Sequence, residues 1–475
     1  MDFSCTVARR FSVADQSAFA AVSGDRNPIH VDELAARRLL YGAVVVHGIH
    51  LVLWALDCIV RTRFEISAFA QIKVNFNAPA RVDEELVLSW QGNDGDLVRA
   101  QIACKGDRVA RLSFLPQAAS DLDWRGRREL PACACLDLDA TDIAAREGVV
   151  ELALPDLWRD LFPHLANRFS ASQVAVLLAT TRMIGMSCPG LHSILSGFKL
   201  NFGLGFESAT TIDFFVRRFD PRFRIADIEI TAPGVTGTVA SFFRPKPYEQ
   251  KRLTELAANI APGEFAGQNA LVVGGSRGLG ALAAKLLAAG GAQVTITYAR
   301  GVAEAASIVK EACAAGYTIA MVRYDILSDN EFCSVPEMPF SHIYYFATPR
   351  IPSNRPGAFD ARQFQHLLAY YVSGFARAIE HVRPHATADA CFWYPSSVFV
   401  EQDAASFPEY VAAKACGETF CARLAGWLSP LRFAVDRLPR LATDQTQALS
   451  EETAPDGVDT MLAVIRRLGH SPPQP

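Results

Sequence analysis

The chain has 475 residues, 50% of them hydrophobic and 20% charged, with a formal net charge of -4 and a sequence pI of about 6.2. Such a length predicts roughly two to four domains, and the slight acidic balance excludes a chain built to lie on nucleic acid, whose phosphates demand a strong basic excess. The greasiest run, residues 51–60, is too short to span a bilayer and contains Asp57, and the N-terminal MDFSCTVARRF lacks a signal-peptide core, so a cytoplasmic protein with no membrane partner is expected. Its 11 cysteines are scattered, with Cys133 and Cys135 the only close pair; they read as reduced residues, and no metal site is expected.

In chain order, Ser12 is placed to cap a helix whose apolar positions Val13, Phe19 and Val22 face inward, and the triplet SGD ends it. The loop SGDRNPIHVD (23–32) follows. VVVHGIHLVLWALDCIV (44–60) is then the longest apolar stretch of the first 120 residues, with the length and period of a buried helix. Segments 69–79, 84–92, 97–106 and 109–116 are rich in β-branched and aromatic residues and are broken by Gly, Asn, Asp and Pro, which reads as antiparallel strands. Residues 1–118 are therefore expected to form an α+β unit whose sheet wraps a central helix.

The pattern repeats. Residues 72–90 align without a gap on 198–216 at an offset of 126, matching Lys73 to Lys199, Asn75 to Asn201 and Phe76 to Phe202, and the same offset lays the apolar helix on 174–186. Residues 119–246 are thus expected to be a second copy. Under the offset Asp25 falls on Glu151 and His30 on Asp156, so the copy is expected to be degenerate. Residues 247–264, polar and flanked by proline, have linker composition. From 265 to 475 the order of strand, glycine turn, amphipathic helix and strand predicts an α/β doubly wound parallel sheet of Rossmann type.

Two places carry chemistry. In SGDRNPIHVD, Pro28 stiffens the loop between Asp25 and His30, so that both side chains can be aimed at one small volume as general acid and general base. His47-Gly48 opens the buried helix, where free N–H groups and the positive dipole end can bind a thioester oxygen as it gains enolate charge. In the C-terminal part, Gly274, Gly278 and Gly280 of VVGGSRGLG let backbone N–H groups approach a pyrophosphate. The following strand ends in Tyr298-Ala299-Arg300 where an NAD-preferring site usually carries an acid, so Arg277 and Arg300 suit the 2′-phosphate of NADP(H). Tyr410 and Lys414 share a helix face, which lets the ammonium lower the phenol pKa, and Ser397 can hold the substrate oxygen.

Through the glycine turn and the set Ser397, Tyr410 and Lys414, residues 266–446 resemble the short-chain dehydrogenase/reductase family. The resemblance implies Ser397, Tyr410 and Lys414 as catalytic residues and a cofactor site of Gly274, Ser276, Arg277, Gly278, Leu279, Gly280, Arg300, Asp325, Tyr410 and Lys414. The chain departs from that family's pattern at Val273, at Phe346-Ala347-Thr348, at Tyr371 in place of the helix asparagine, and at Pro439-Arg440. Through SGDRNPIH followed by YGAVVVHG, the N-terminal half resembles MaoC-type (R)-specific enoyl-CoA hydratases of the hotdog fold. That resemblance implies Asp25 and His30 as the catalytic pair, Gly48 as oxyanion amide, Asn27 as the residue that orients the loop, and Asn27 and His47 on the substrate side, with Leu53 where a serine is frequent. The degenerate repeat resembles the non-catalytic half of double-hotdog hydratases.

Together the resemblances imply a fused NADPH-dependent 3-ketoacyl-thioester reductase and 3-hydroxyacyl-thioester dehydratase of fatty acid or polyketide-type chain processing. Its substrate would be an acyl thioester on acyl carrier protein or CoA, and its assembly a homo-oligomer, dimer or tetramer. The rival expectations are a hydratase and 3-hydroxyacyl dehydrogenase of β-oxidation, and a dehydratase or acyl-binding protein with a silent reductase-like domain. Arg217, Arg218, Arg222 and Arg224 read either as a solvated face or as a contact for an acidic carrier or CoA phosphates.

Overall fold

A computed structural model describes residues 5–92, 97–119, 124–131, 133–203, 205–328, 338–351, 359–402, 405–446 and 454–469. These fall into two compact units, one holding the described residues up to Lys246 and the other those from Pro247 onward.

In the first unit, β1 (Cys5–Arg10) leads into the helix Val13–Ser23. Ser12 and Asp15 form a capping box: the Ser12 hydroxyl accepts from Asp15 N at 3.1 Å while the Asp15 carboxylate accepts from Ser12 N at 2.7 Å. Gly24, at φ 75°, ends the helix in the left-handed conformation. The expected apolar helix begins only at Gly48 and runs to Thr62. It packs inside a sheet made of β2 (Ala68–Phe76), β3 (Glu85–Gln91), β4 (Val98–Cys104) and β5 (Asp107–Gln117).

The order then recurs as β6 (Glu147–Glu151), the helix Ala171–Arg182 continued by a π-helical turn Met183–Ser187, β7 (Ser193–Phe202), β8 (Thr211–Asp220), β9 (Ile225–Ala232) and β10 (Val235–Phe243). All ten strands join one antiparallel sheet ordered β1-β3-β4-β5-β2-β7-β10-β9-β8-β6. Its second half is the first reversed, as a two-fold axis between β2 and β7 requires. Across that seam Lys73 pairs with Lys199, its own repeat equivalent, which puts the axis at that pair. The unit is a double hotdog. The offset of 126 holds from the central helix to the last strand but fails before it: shifting β1 by that amount lands on 131–136, whereas β6 occupies Glu147–Glu151. Asp25 and Glu151 are therefore not structural equivalents, and the alignment of the catalytic loop on 151–156 is corrected.

The second unit contains β11 (Asn269–Val273), β12 (Gln293–Tyr298), β13 (Ile319–Arg323), β14 (Phe340–Tyr345), β15 (Ala386–Ser397) and β16 (Arg432–Leu438) in a parallel sheet ordered β13-β12-β11-β14-β15-β16. The order reverses between β11 and β14, which opens a crevice at the carboxyl ends of those strands. The segment 247–264, expected as a linker, packs into this unit: Leu253 and Leu256 of the helix Leu253–Ala257 are fully buried in its core. No helix among the described residues is long and apolar enough to cross a membrane.

His50 lies inside the first central helix, stacked on Phe19 at 4.5 Å between ring centroids, and burial lowers its pKa to about 3. Burial, and then the charge of Arg244, bring His192 down to about 4. Both are neutral in the fold near pH 7 and take up a proton on unfolding as the pH drops below their ordinary value of about 6.5. The stability they contribute is present above that value and is lost as pH falls toward their folded pKa values. Calorimetric scans across this range should show the N-terminal transition moving to lower temperature with acidification, with a shallower slope in His50→Leu than in wild type.

Candidate active sites

In the first unit the loop after the helix Val13–Ser23 is fixed by Asn27, whose Oδ1 accepts from Ile29 N at 3.2 Å and opens the short turn Pro28–Val31. Its side-chain amide faces the carbonyls of Gly185, Gly190 and Leu191 at 3.1, 3.1 and 3.2 Å. Asp25, only 1% exposed, accepts from the Thr181 hydroxyl at 2.7 Å and from Asn27 N at 3.2 Å. Burial raises its pKa; nearby His30 is the largest opposing influence. His30 places Nδ1 2.8 Å from the Val45 carbonyl. A carbonyl only accepts, so the proton belongs on Nδ1 and Nε2 is left as a base. Burial lowers the His30 pKa against the pull of Asp25. The loop thus holds a carboxyl biased toward its protonated form beside an imidazole biased toward its neutral form.

His47 lies flat against His30, with centroids 3.9 Å apart, and is itself fully buried. Its two ring nitrogens face Gln16 Oε1 at 2.9 Å and the Asp25 carbonyl at 3.0 Å, and burial holds its pKa well below the usual value. Ligand atoms of Asp25, His30 and His47 lie within 4.8 Å of one another. Both His47 nitrogens are enclosed by these protein oxygens, one of which takes its single N–H, so the arrangement reduces to the Asp25 and His30 pair. Both residues expected on the substrate side are buried: the Asn27 amide faces three carbonyls, and the His47 ring lies between Gln16 and the Asp25 carbonyl. Gly48 is partly accessible and begins the central helix, where first-turn N–H groups have no acceptor within the helix. Leu53 is fully buried in the core.

The sequence did not single out Thr181 or Gly185, both from the second repeat. A Cβ on Gly185 would sit 2.1 Å from Asp25 Oδ1, so only glycine admits the carboxylate there, and the π-helical turn that carries it is the wider kind of turn found at functional sites. Arg182, just before that turn, donates to the Ser23 carbonyl at 3.1 Å and to that of Glu151. Glu151 and Asp156 themselves lie at the surface, ion-paired to Arg127 and Arg128. Replacing Gly185 with Ala is expected to lower turnover at this site by about a hundredfold or more by displacing the acid. Thr181→Val should cost less, on the order of tenfold, because it removes one hydrogen bond. Turnover of an enoyl thioester, read beside melting curves, measures both.

In the second unit Gly274 (φ 81°) and Gly278 (φ 57°) make the turn after β11, and a Cβ on Gly280 would meet the Gly274 carbonyl at 2.4 Å. Gly274 N and Gly275 N are tied to Thr297, each at 3.0 Å. No side chain caps the helix Gly278–Ala289, so Ser276, Arg277, Gly278 and Leu279 frame an uncapped N-terminus that fits a pyrophosphate. Arg300 is exposed just past β12, Arg277 lies 3.9 Å from Asp444, and the charges of both arginines reach Tyr370. Asp325 follows β13 and accepts from Leu327 N at 3.0 Å.

Ser397 ends β15, and Tyr410 and Lys414 ride the helix Pro408–Trp427. Tyr410 is hydrogen-bonded to Ser397, and burial pushes its pKa up to about 12. Burial likewise brings Lys414 down to about 7. The expected depression of the phenol by the ammonium is therefore corrected: desolvation dominates both groups. Lys414 Nζ donates to the Pro395 carbonyl at 2.5 Å and lies 3.9 Å from the centroid of the Tyr371 ring, against 5.9 Å for Tyr410. Two of the departures meet here, since the Tyr371 hydroxyl is 2.6 Å from Thr348 Oγ1. Phe346 N still bonds the Val273 carbonyl at 2.7 Å, and Arg440 donates to the Thr446 carbonyl at 3.0 Å.

Comparison with known proteins finds relatives of both units. Residues 2–110 match the MaoC like domain, and residues 268–335 match the short chain dehydrogenase family, a stretch that holds the glycine turn and stops before Ser397. The 3-hydroxybutyryl-CoA dehydratase of Methylorubrum extorquens is 30% identical over 110 residues, 21% of this chain and 68% of that protein. Among solved structures, a dehydrogenase/reductase from Sinorhizobium meliloti 1021 has a TM-score of 0.37 at 20% identity, covering 46% of this chain and 91% of that one. A short chain dehydrogenase from Burkholderia cenocepacia J2315 in complex with NADP has a TM-score of 0.37 at 21% identity, covering 43% and 91%. The protein is a fusion of a hotdog dehydratase-type unit with a Rossmann-type oxidoreductase unit. Its N-terminal domain belongs to the MaoC-like dehydratase family, and its C-terminal domain is a short-chain dehydrogenase domain.

Proposed function

We propose that the chain reduces a 3-ketoacyl thioester with NADPH and dehydrates the resulting (R)-3-hydroxyacyl thioester, in fatty acid or polyketide-type chain processing, with the acyl group carried on CoA or an acyl carrier protein. The observation that carries the reading is the buried Asp25 and His30 pair beside the uncapped start of the helix Gly48–Thr62. In dehydration, neutral His30 takes the α-proton at Nε2, and the thioester oxygen gains enolate charge against the Gly48 amide. As the C2–C3 double bond forms, the C3–O bond breaks, and protonated Asp25 gives its proton to the departing hydroxyl, so that water leaves. Hydration runs the same steps backward.

In the second unit a bound nicotinamide cofactor supplies the hydride. The glycine turn would hold its pyrophosphate, and Arg277 and Arg300 its 2′-phosphate. Ser397 holds the substrate oxygen and Tyr410 protonates it. The product of this unit is the substrate of the first, which is the chemical reason to join them. One observation favours the silent-reductase reading instead: Lys414 is held by Pro395 and Tyr371 rather than aimed at Tyr410.

Asp25→Asn or His30→Ala should lower dehydration about a hundredfold to ten-thousandfold and leave ketoreduction intact; near-normal dehydration by both contradicts the assignment. Tyr410→Phe keeps the ring and should bind NADPH normally while ketoreduction collapses. If wild type binds NADPH but reduces no 3-ketoacyl thioester, and Tyr410→Phe behaves identically, the silent-reductase reading replaces this one. Arg300→Asp puts a repulsion where the 2′-phosphate would lie, and the ratio of kcat/KM for NADPH over NADH should fall by about tenfold or more.

A further inference from the structure

Two arginines are buried in the second repeat, and they differ in how their charge is met. Arg182 bonds two carbonyls and has the carboxylates of Glu151 and Asp25 near it. Arg244, immediately after β10, is 0% exposed, yet its Nε and Nη1 have no hydrogen-bond partner. Only Nη2 is used, donating to the Leu191 carbonyl at 2.5 Å. The groups that favour its charge are Cys135 and Tyr41, neither of them a carboxylate. A buried guanidinium without a carboxylate partner is costly, and two unspent donors add to that cost.

Its position gives those donors a use. The Leu191 carbonyl that takes Arg244 Nη2 also faces the Asn27 amide at 3.2 Å, so the guanidinium stands one carbonyl away from the loop that carries Asp25 and His30. Its charge is felt at His30 and at Tyr41. His192 lies alongside, its carbonyl accepting from Arg244 N at 2.8 Å, its Nε2 facing the Asp137 carboxylate at 3.1 Å and its Nδ1 an acceptor without a partner. Three polar atoms on neighbouring side chains are thus unpaired next to an acid-base pair.

Building on the dehydratase reading above, we propose that Arg244 receives an anionic oxygen group carried by the thioester substrate. The group is a carboxylate on the acyl chain or a phosphate of the thiol carrier, and the guanidinium makes the site selective for substrates that bear it. Neutral thioesters lacking both groups leave the charge unmet and bind poorly.

The test uses the full chain, with unreactive butyryl-pantetheine, butyryl-CoA and glutaryl-CoA as calorimetric probes, and with crotonyl-CoA for turnover. Wild type should bind at least one anionic probe roughly tenfold or more tighter than butyryl-pantetheine. Arg244→Gln should erase that ratio and Arg244→Lys should keep most of it. A step from butyryl-CoA to glutaryl-CoA lost in Arg244→Gln assigns the acyl carboxylate; a step from butyryl-pantetheine to butyryl-CoA lost in that variant assigns the carrier phosphate. Ratios unchanged in Arg244→Gln, or no wild-type preference, overturn the proposal. If Arg244→Gln does not fold, Arg244→Met takes its place, and a wild-type ratio surviving in that variant overturns the proposal. Wild-type turnover of crotonyl-CoA reads the dehydratase assignment separately, so that failure there with an Arg244-dependent binding ratio sinks the reaction and not the site.

Discussion

The N-terminal unit depends on the burial of one carboxylate. Asp25 is removed from water, which costs several kcal/mol unless the group is hydrogen-bonded or protonated. Its loop is held by the Asn27 amide against three carbonyls, and its own oxygens by Thr181 and Asn27. Apart from Asn27, every one of these partners comes from the second repeat. That repeat is therefore the mould in which the first repeat's chemistry is cast, and its π-helical turn at Met183–Ser187 supplies the gap at Gly185 that the carboxylate fills.

The same force sets the protonation of both sites, with different results. At the first, desolvation raises Asp25 and lowers His30, which biases the carboxyl toward keeping its proton and the imidazole toward its neutral form, the pair of states that the proposed elimination of water requires. At the second, desolvation raises Tyr410 to about 12 and lowers Lys414 to about 7. Tyr410 is then a proton donor as it stands, but Lys414 is directed toward Pro395 and the ring of Tyr371. Tyr371, one of the positions where the chain departs from the family's pattern, thus shapes the surroundings of the lysine.

Much of this was legible in the chain. Ser12, the apolar helix and the four strands after it announce one hotdog, and the offset of 126 announces the second because strand and helix spacing is fixed by the sheet that wraps each helix. The loop 23–32 shows its carboxyl and imidazole directly. Thr181 and Gly185 stayed hidden because they lie about 160 residues downstream in a run, TTRMIGM, that reads as core helix, and nothing local marks a π-helical turn. The mapping of Asp25 onto Glu151 went astray because an ungapped offset cannot register that the second repeat enters its sheet through β6, later than the first does through β1. Tyr371 was visible as a departure, but its ring contact with Lys414 is a property of the fold, as is the packing of Leu253 and Leu256 in a segment whose composition suggests a linker.

The claim that the two sites act in sequence on one acyl chain is tested most directly by mass spectrometry of a 3-ketoacyl thioester, presented on CoA and on an acyl carrier protein, after incubation with the protein and NADPH. The account predicts a gain of two hydrogens followed by loss of water, giving the trans-2-enoyl thioester on at least one carrier. A ketoacyl thioester left unchanged on both carriers, or a hydroxyacyl product that never loses water, would contradict it.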